Sequence, residues 1–338
     1  MTKYASLPNP DGWFAVCFST ELAAGQLQAR RLFDRDVVVF RTESGQVAVI
    51  DAHCPHMGAH LGHGGRVDGD AVRCPFHGFR FAPDGACIST PYATKIPPKC
   101  ATRSWHTCER NGVILVWHDQ RGRPPSFQIP TYDLDTWLPM QTQTWELSTH
   151  PQETTENSVD LGHLGEVHHY RDVEVLEPLK TEGAYLTIRY GMSRSGFGLS
   201  RTAENRAEFR VHVHGLGFSH VEVHEQRRDV RLRFWVLCTP TEADKCELRA
   251  ACTTTVHARP YRASAALGLL PRGVASRVIQ KFAFDEFCHD LTQDFEVWRN
   301  KLYVDPPALA KGDGPVGRYR SWCRQFYPQL PLVAKRAS

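Results

Sequence analysis

Two short segments each pair a thiol with an imidazole: Cys54-Pro-His56 and, further along, Cys74-Pro-Phe-His77. The proline in each stiffens its arm. Structural zinc also takes two cysteines and two histidines, but its usual ligand pairs run Cys-x(2–4)-Cys and His-x(3–5)-His. Here each arm mixes the two types. Mixing suits a [2Fe–2S] cluster in which one iron takes both thiolates and the other both imidazoles, so that each arm serves both irons. Neutral imidazoles in place of thiolates reduce the negative charge and raise the potential, which makes the cluster an acceptor and relay of single electrons. The stretch DAHCPHMGAHLGHGG, 51–65, also holds His53, His60 and His63. These lack a counterpart on the second arm and read as polar loop residues or hydrogen-bond donors near the cluster. Gly58, Gly62, Gly64 and Gly65 let the loop fold tightly enough for backbone amides to approach the cluster sulfurs.

An electron carrier of this Rieske type needs only about 120 residues, and the chain has 338. The segment ENSVDLGHLGEVHH, 156–169, supplies Asn157, Asp160, His163, His168 and His169. Read as part of a helix over 152–169, it puts Asp160 and His163 on one face. His163 and His168 then lie about 140° apart, so both reach one ion only if the helix bends or ends between them, and Gly165 offers the place. Beside a Rieske centre, a His-x4-His pair points to the two-histidine, one-carboxylate iron site that leaves positions open for O2 and substrate. The carboxylate is sought on a long helix expected over 274–302. There Phe284, Phe287, Cys288, Leu291, Phe295 and Trp298 form an apolar stripe. Asp285, Glu286 and Glu296 fall on the far side, Asp290 lies well off the stripe, and Asp294 sits at its border. Asp294 is therefore the chosen iron ligand, with a buried role beside the ligands as its alternative.

The elements that position these groups follow from local pattern. From residue 13 to about 120 the runs WFAVCF, DVVVFR, QVAVIDA, AVRCPF and GVILVWH read as short strands between turn signals. RGRPPSFQIP, 121–130, breaks the pattern with three prolines and marks a domain boundary. Beyond it AYLTIRY, EFRVHVHG, HVEVHE, VRLRFWVL and ELRAACTTTVHA read as antiparallel strands, HVEVHE with the strict alternation of a half-exposed one. The fold class is α+β, an all-β domain followed by a mainly antiparallel sheet with a long helix. Forty basic against 37 acidic side chains give a net charge of +3, which argues for neither nucleic acid nor a membrane surface. The basic runs RRLFDR, EQRRDVRLR and GRYRSWCR read as solvated faces or, less simply, as a dock for an acidic redox partner. No apolar run reaches a bilayer span. Eleven scattered cysteines without a secretion signal suggest free thiols in a reducing, cytoplasmic compartment. A Gly-rich dinucleotide fingerprint is absent, so a nicotinamide-using reductase would be another protein.

With these residues in place, the chain resembles the oxygenase component of the Rieske non-haem iron oxygenases. CPH with CPFHG carries the likeness in the first half; Asn157-x-x-Asp160-x-x-His163-x4-His168 and Gln293-Asp294 before Val297-Trp298 carry it in the second. The resemblance implies a Rieske domain over 10–126 and a helix-grip catalytic domain over 127–338. It implies a [2Fe–2S] cluster on Cys54, His56, Cys74 and His77, and mononuclear Fe(II) on His163, His168 and Asp294. It implies a separate NAD(P)H-dependent reductase, a ferredoxin or both, and hydroxylation or desaturation using O2. CPHMGAHL, PYATKIP, TRSWHTCERNGVILVWHDQRGRPP and DPPALAKGDGPVGRYRSWCRQFYP are similar to the steroid-active branch, the 3-ketosteroid 9α-hydroxylases and cholesterol 7-desaturases. The desaturases' N-terminal membrane segment is not seen here. A hydrophobic, sterol-like substrate is thus implied, in a pocket lined by strands between 180 and 255 and by the long helix. An aromatic or natural-product substrate, ring-hydroxylated or O-demethylated, is the alternative. The resemblance also implies a homotrimer in which Asp160, with Asn157 of the same motif, serves catalysis by bridging a cluster histidine, His77, of one subunit to His163 of the next.

Overall fold

The computed structural model describes residues 7–92, 94–195, 204–257 and 259–327. Ala93 of PYATKIP and the end of the chain from Pro328, including the last part of the second expected domain, lie outside the described residues. In the first part, ten short strands form three antiparallel sheets. β1 (Gly12–Phe18), β10 (Val113–His118) and β9 (Thr107–Arg110) make one; β2 (Leu27–Leu32), β3 (Arg35–Arg41) and β4 (Val47–Asp51) make another. β5 (Arg66–Asp68), β6 (Ala71–Arg73), β7 (Arg80–Phe81) and β8 (Cys87–Ser89) make the third, which carries the second cysteine arm on its β6–β7 connection. Val38, Phe40, Ile50, Val72, Phe79 and Phe81 pack around Cys54 and Cys74 in one core, so the arms spring from a rigid base.

The second part is one antiparallel sheet of seven strands. They are β11 (Gln141–Leu147), β12 (Arg171–Glu182), β13 (Tyr185–Ser195), β14 (Glu204–His214), β15 (Phe218–Glu225), β16 (Val230–Glu242) and β17 (Lys245–Thr254). Their spatial order is β11-β17-β16-β15-β14-β13-β12. The long helix α3 (Arg272–Asn300) presses Phe284, Leu291, Phe295 and Trp298 onto Phe234, Leu248, Ala250 and Cys252 of the sheet. Helix on sheet buries the apolar stripe that the sequence shows. The two parts share a core in which Trp13, Phe18 and Trp117 meet Phe218, Trp235 and Leu237. Backbone bonds from Phe33 and Asp34 to Pro240 and Thr241 stitch the same seam.

Three expectations are corrected. The helix over 152–169 is two short helices, α1 (Pro151–Glu156) and α2 (Gly162–Glu166), with Asp160 on the connection. Gly165 lies inside α2; the chain turns after it, where His169 takes a left-handed φ of 60°. HVEVHE keeps its exposed face only in part: the Glu222 and His224 side chains are 40% and 38% exposed, but His220 is fully buried, because the 127–140 segment lays Tyr132 across its ring, with centroids 4.5 Å apart. The basic runs are not all solvated, since Arg228 and Arg233 are buried and the Arg320 side chain, paired with Glu156, is largely covered. All eleven cysteines are free thiols, and no helix among the described residues is long and apolar enough to cross a membrane.

Candidate active site and cluster-bearing arms

The two cysteine arms repeat one turn. The Gly58 amide donates to the Cys54 carbonyl at 2.9 Å, and the Gly78 amide to the Cys74 carbonyl at 3.1 Å. The Cys54 amide donates to the Ala59 carbonyl and the Cys74 amide to the Phe79 carbonyl, both at 2.8 Å. Each turn closes through a glycine in the left-handed region, Gly58 at 77° and Gly78 at 72°. Cys54 and Cys74 are buried, while the rings of His56 and His77 lie 4.7 Å apart at 77°. Phe79 stacks flat on His56, and the buried Nδ1 of His77 has no hydrogen-bond partner among the described residues. Burial, and then Cys74 alongside, push the Cys54 thiol up to about 11, so ionising it needs the charge of bound iron. Two adjacent buried thiols and two neighbouring imidazoles, one with a buried unbonded Nδ1, fit a mixed-ligand cluster. His53, His60 and His63 form a chain of ring contacts beside it instead: His53 against His60 at 5.1 Å, His60 against His63 at 4.3 Å. His53 Nδ1 bonds the Gly58 carbonyl, which ties this chain to the first turn.

The second constellation assembles from distant segments. Nitrogens of His163 and His168 and an oxygen of Asp294 all lie within 4.8 Å of one another. His168 Nε2 is 3.5 Å from Asp294 Oδ2, and its Nδ1 donates to Gln293 Oε1 at 3.0 Å. His163 Nδ1 donates to the Asp160 carbonyl at 2.7 Å. Both Nδ1 positions are therefore committed, and both Nε2 lone pairs are left for an ion. Burial works against a charged His168, but Asp294, then Gln293 and Asp290, raise its pKa above the ordinary value. Two imidazoles and a carboxylate on one side of a site suit Fe(II) with open positions.

Asp160 accepts from the Gly162 and His163 amides at 3.0 and 3.3 Å, which fixes its carboxylate at the start of α2. Burial works to raise its pKa, yet the His163 ring and those amides hold it below the usual carboxylate value. Its side chain stays 34% exposed, so a group from outside this chain can reach it. Asn157, which caps the end of α1, lines the same cavity as His163, His168 and Asp294.

That cavity holds about 980 Å³ of empty space counted to its open mouth. Its walls come from the strands and helix expected of it: Tyr190, Met192, Phe209, Val211, Val221 and Val223 from the sheet, Phe287 and Leu291 from α3. Asp290, which the helical pattern puts well off the apolar stripe, is buried on this wall, where Tyr170 Oη donates to its Oδ2 at 3.1 Å. A helical wheel misses it because α3 is covered on a second side by the Tyr170 segment.

No local pattern gives a physical reason for GDGPVGRYRSW. In the fold this segment holds the connection that bears Asp160. The Leu161 amide donates to the Asp313 carbonyl at 3.0 Å, and Tyr319 Oη to the Gln152 carbonyl at 2.7 Å. In α4 (Val316–Cys323), Arg320 forks onto both oxygens of Glu156 at 2.6 and 2.8 Å. Gly314, at φ 89°, sits where a Cβ would come 2.3 Å from the Val159 carbonyl. Only glycine fits there.

The chain is similar to known proteins over most of its length. Residues 12–105 match the Rieske [2Fe-2S] domain, and residues 116–327 match the 3-ketosteroid 9alpha-hydroxylase C-terminal domain. A 3-ketosteroid-9-alpha-monooxygenase oxygenase component of Rhodococcus rhodochrous is 28% identical over 96% of this chain and 81% of its own length. A cholesterol 7-desaturase of Bombyx mori is 30% identical over 98% of this chain and 72% of its own. Among solved structures, dicamba monooxygenase with non-haem iron and dicamba matches 94% of this chain and 96% of its own, at TM-score 0.62 and 17% identity. Pseudomonas putida CBB5 NdmA with caffeine matches 92% and 89%, at TM-score 0.70 and 18% identity.

Proposed function

The chain belongs to the Rieske non-haem iron oxygenases, as an oxygenase component with a [2Fe–2S] cluster and a mononuclear iron, and we propose that it hydroxylates or desaturates a steroid- or sterol-like substrate. The observation that carries this reading is the apolar cavity that ends on the two-histidine, one-aspartate set. When bound, the cluster supplies single electrons and the iron activates O2 for attack on a C–H bond.

The chain's own residues do the rest. Cys54, His56, Cys74 and His77 would hold the cluster; His163, His168 and Asp294 would hold the iron. The Asp160 carbonyl and Gln293 keep the two ligand rings in the tautomer that presents Nε2. Val211, Val221, Val223 and Phe287 exclude water and grip an apolar skeleton, which leaves the Tyr170–Asp290 pair to take a polar substituent. Asp160, partly exposed and 3.8 Å from His163 Nδ1, is suited to bridge that ring to His77 of a neighbouring copy in a homotrimer. Exposed Met57, Phe76 and Tyr92 around the cluster arms supply an apolar rim for such a contact. A separate NAD(P)H-dependent reductase, a ferredoxin or both would deliver the electrons. The reducing cytoplasm is the proposed compartment, given eleven free thiols.

A second reading keeps the machinery and changes the substrate to an aromatic one. It is favoured by the solved structures whose bound molecules are dicamba and caffeine. One experiment separates the two: incubation of the reduced holoenzyme with O2 and a panel of 3-ketosteroids, 3-hydroxysterols and aryl methyl ethers, with products identified by mass spectrometry. Oxygenated or dehydrogenated steroids are expected. Turnover of the ethers alone would replace the steroid reading.

A further inference from the structure

Outside the iron site, a second set of metal-type donors converges on the opposite face of the sheet. Along β15 Ser219, Val221 and Val223 face the substrate cavity, so His220 and Glu222 point the other way. His212 of β14 pairs directly with His220. Nitrogens of His212 and His220 and an oxygen of Glu222 all lie within 4.8 Å of one another. We propose that His212, His220 and Glu222 form a second metal site, for a divalent cation of the zinc type.

The state of each donor argues for this ligand chemistry. His220 is fully buried, and neither of its ring nitrogens has a hydrogen-bond partner among the described residues. A buried imidazole left with both nitrogens unsatisfied is uncommon and calls for a ligand. Tyr185 Oη takes up Nδ1 of His212 at 2.8 Å, which leaves its buried Nε2 unbonded and 3.8 Å from Glu222 Oε2. Arg233 donates to Glu222 Oε1 at 2.6 Å, so the carboxylate is held by one oxygen and offers the other. Two neutral imidazoles and one carboxylate oxygen are lone-pair donors, and they suit zinc, nickel or copper better than calcium or magnesium.

Access comes from the Glu222 side, where the side chain is 40% exposed beside a cleft lined by Trp137, His224 and Arg231. The two imidazoles stack at 4.6 Å and 5° from parallel. Zinc–ligand bonds of about 2.0–2.2 Å draw the donors together and turn the rings out of that stack. The Arg233 guanidinium, bonded to Glu222 Oε1, opposes part of the attraction. Bound zinc would pin β14 to β15 under Tyr132 and raise thermal stability by mass action.

The test uses the iron-loaded protein. It is incubated with a few-fold excess of zinc sulfate, freed of unbound metal by gel filtration, and assayed for zinc and iron. About one zinc per chain is expected, with iron unchanged and the melting temperature raised. Glu222→Gln, at a partly exposed position, and His220→Ala should each lose that zinc, while His163→Ala should keep it. The site is refuted if zinc is not retained, if uptake persists in both Glu222→Gln and His220→Ala, or if it disappears in His163→Ala with loss of iron. None of these outcomes bears on which substrate the enzyme oxidises.

Discussion

Cys54 to Ala59 and Cys74 to Phe79 each close on themselves, through two backbone bonds inside a single turn. His168, by contrast, takes its support from Gln293, 125 positions along the chain, and faces Asp294 beside it. The cluster arms need only a proline, a glycine in the left-handed region and a packed base beneath them. His163, His168 and Asp294 need α2, the turn at His169, α3 and the tail segment 313–320 to be in place together. Local turns tolerate distant damage. A site assembled from remote elements inherits every weakness of the fold that joins them.

Substitutions that strike one region and spare the other sharpen this contrast. The largest effect is expected from Asp294→Ala. Oxidation should fall to background and iron by about a third, leaving the cluster's two irons. The reduced cluster's EPR signal should be unaltered; its loss would show that the two regions are not independent. Arg320→Ala should come next, because it takes the two-bond fork from the buried Glu156 carboxylate and leaves it the more distant Lys301 ammonium at 3.9 Å. The cost is about 3–5 kcal/mol by urea denaturation, and hydrogen exchange should rise in 157–163 before it rises in the cluster arms. Asp160→Asn should retain both metals and yet slow turnover about 100-fold. Normal turnover in this variant would remove the proposed bridge between subunits.

The smallest effect is graded with pH. Burial lowers the pKa of His118, in the first part, and of His150 and His214, in the second, each to about 4 from 6.5. The unfolded chain therefore takes up protons first as pH falls. Stability from these groups is complete above about 6.5 and drains away as pH falls toward 4. Burial also lowers the pKa of His220 in the catalytic part and of His60 in the cluster part, which makes three such histidines against two, so protection from exchange should fade more steeply in the former. Equal fading would mean the two parts unfold as one unit.

Much of this molecule is legible in its sequence. The mixed Cys/His arms, the strands of both parts and the long helix all follow from spacing and periodicity, because ligand spacing within a turn and burial of one face are local rules. The choice of Asp294 at the border of an apolar stripe comes from the same rule, and the fold sets it beside His168. Other residues escape local pattern for one physical reason. Asp290, His220 and Arg320 are polar at positions that periodicity assigns to solvent, and each is buried by a segment remote in sequence: the Tyr170 stretch, the 127–140 linker, and α1. Gly165 is the residue expected to turn the chain, whereas the left-handed residue is His169.

An electron-relay cluster and an α+β frame, with a histidine pair proposed for iron, are written in donor identity and spacing along the chain. Tertiary structure decided which carboxylates are buried, why Gly314 and Arg320 are present, what the cavity is lined with, and that His212, His220 and Glu222 converge behind it. Those facts depend on which distant segments cover one another, and no local pattern encodes that covering.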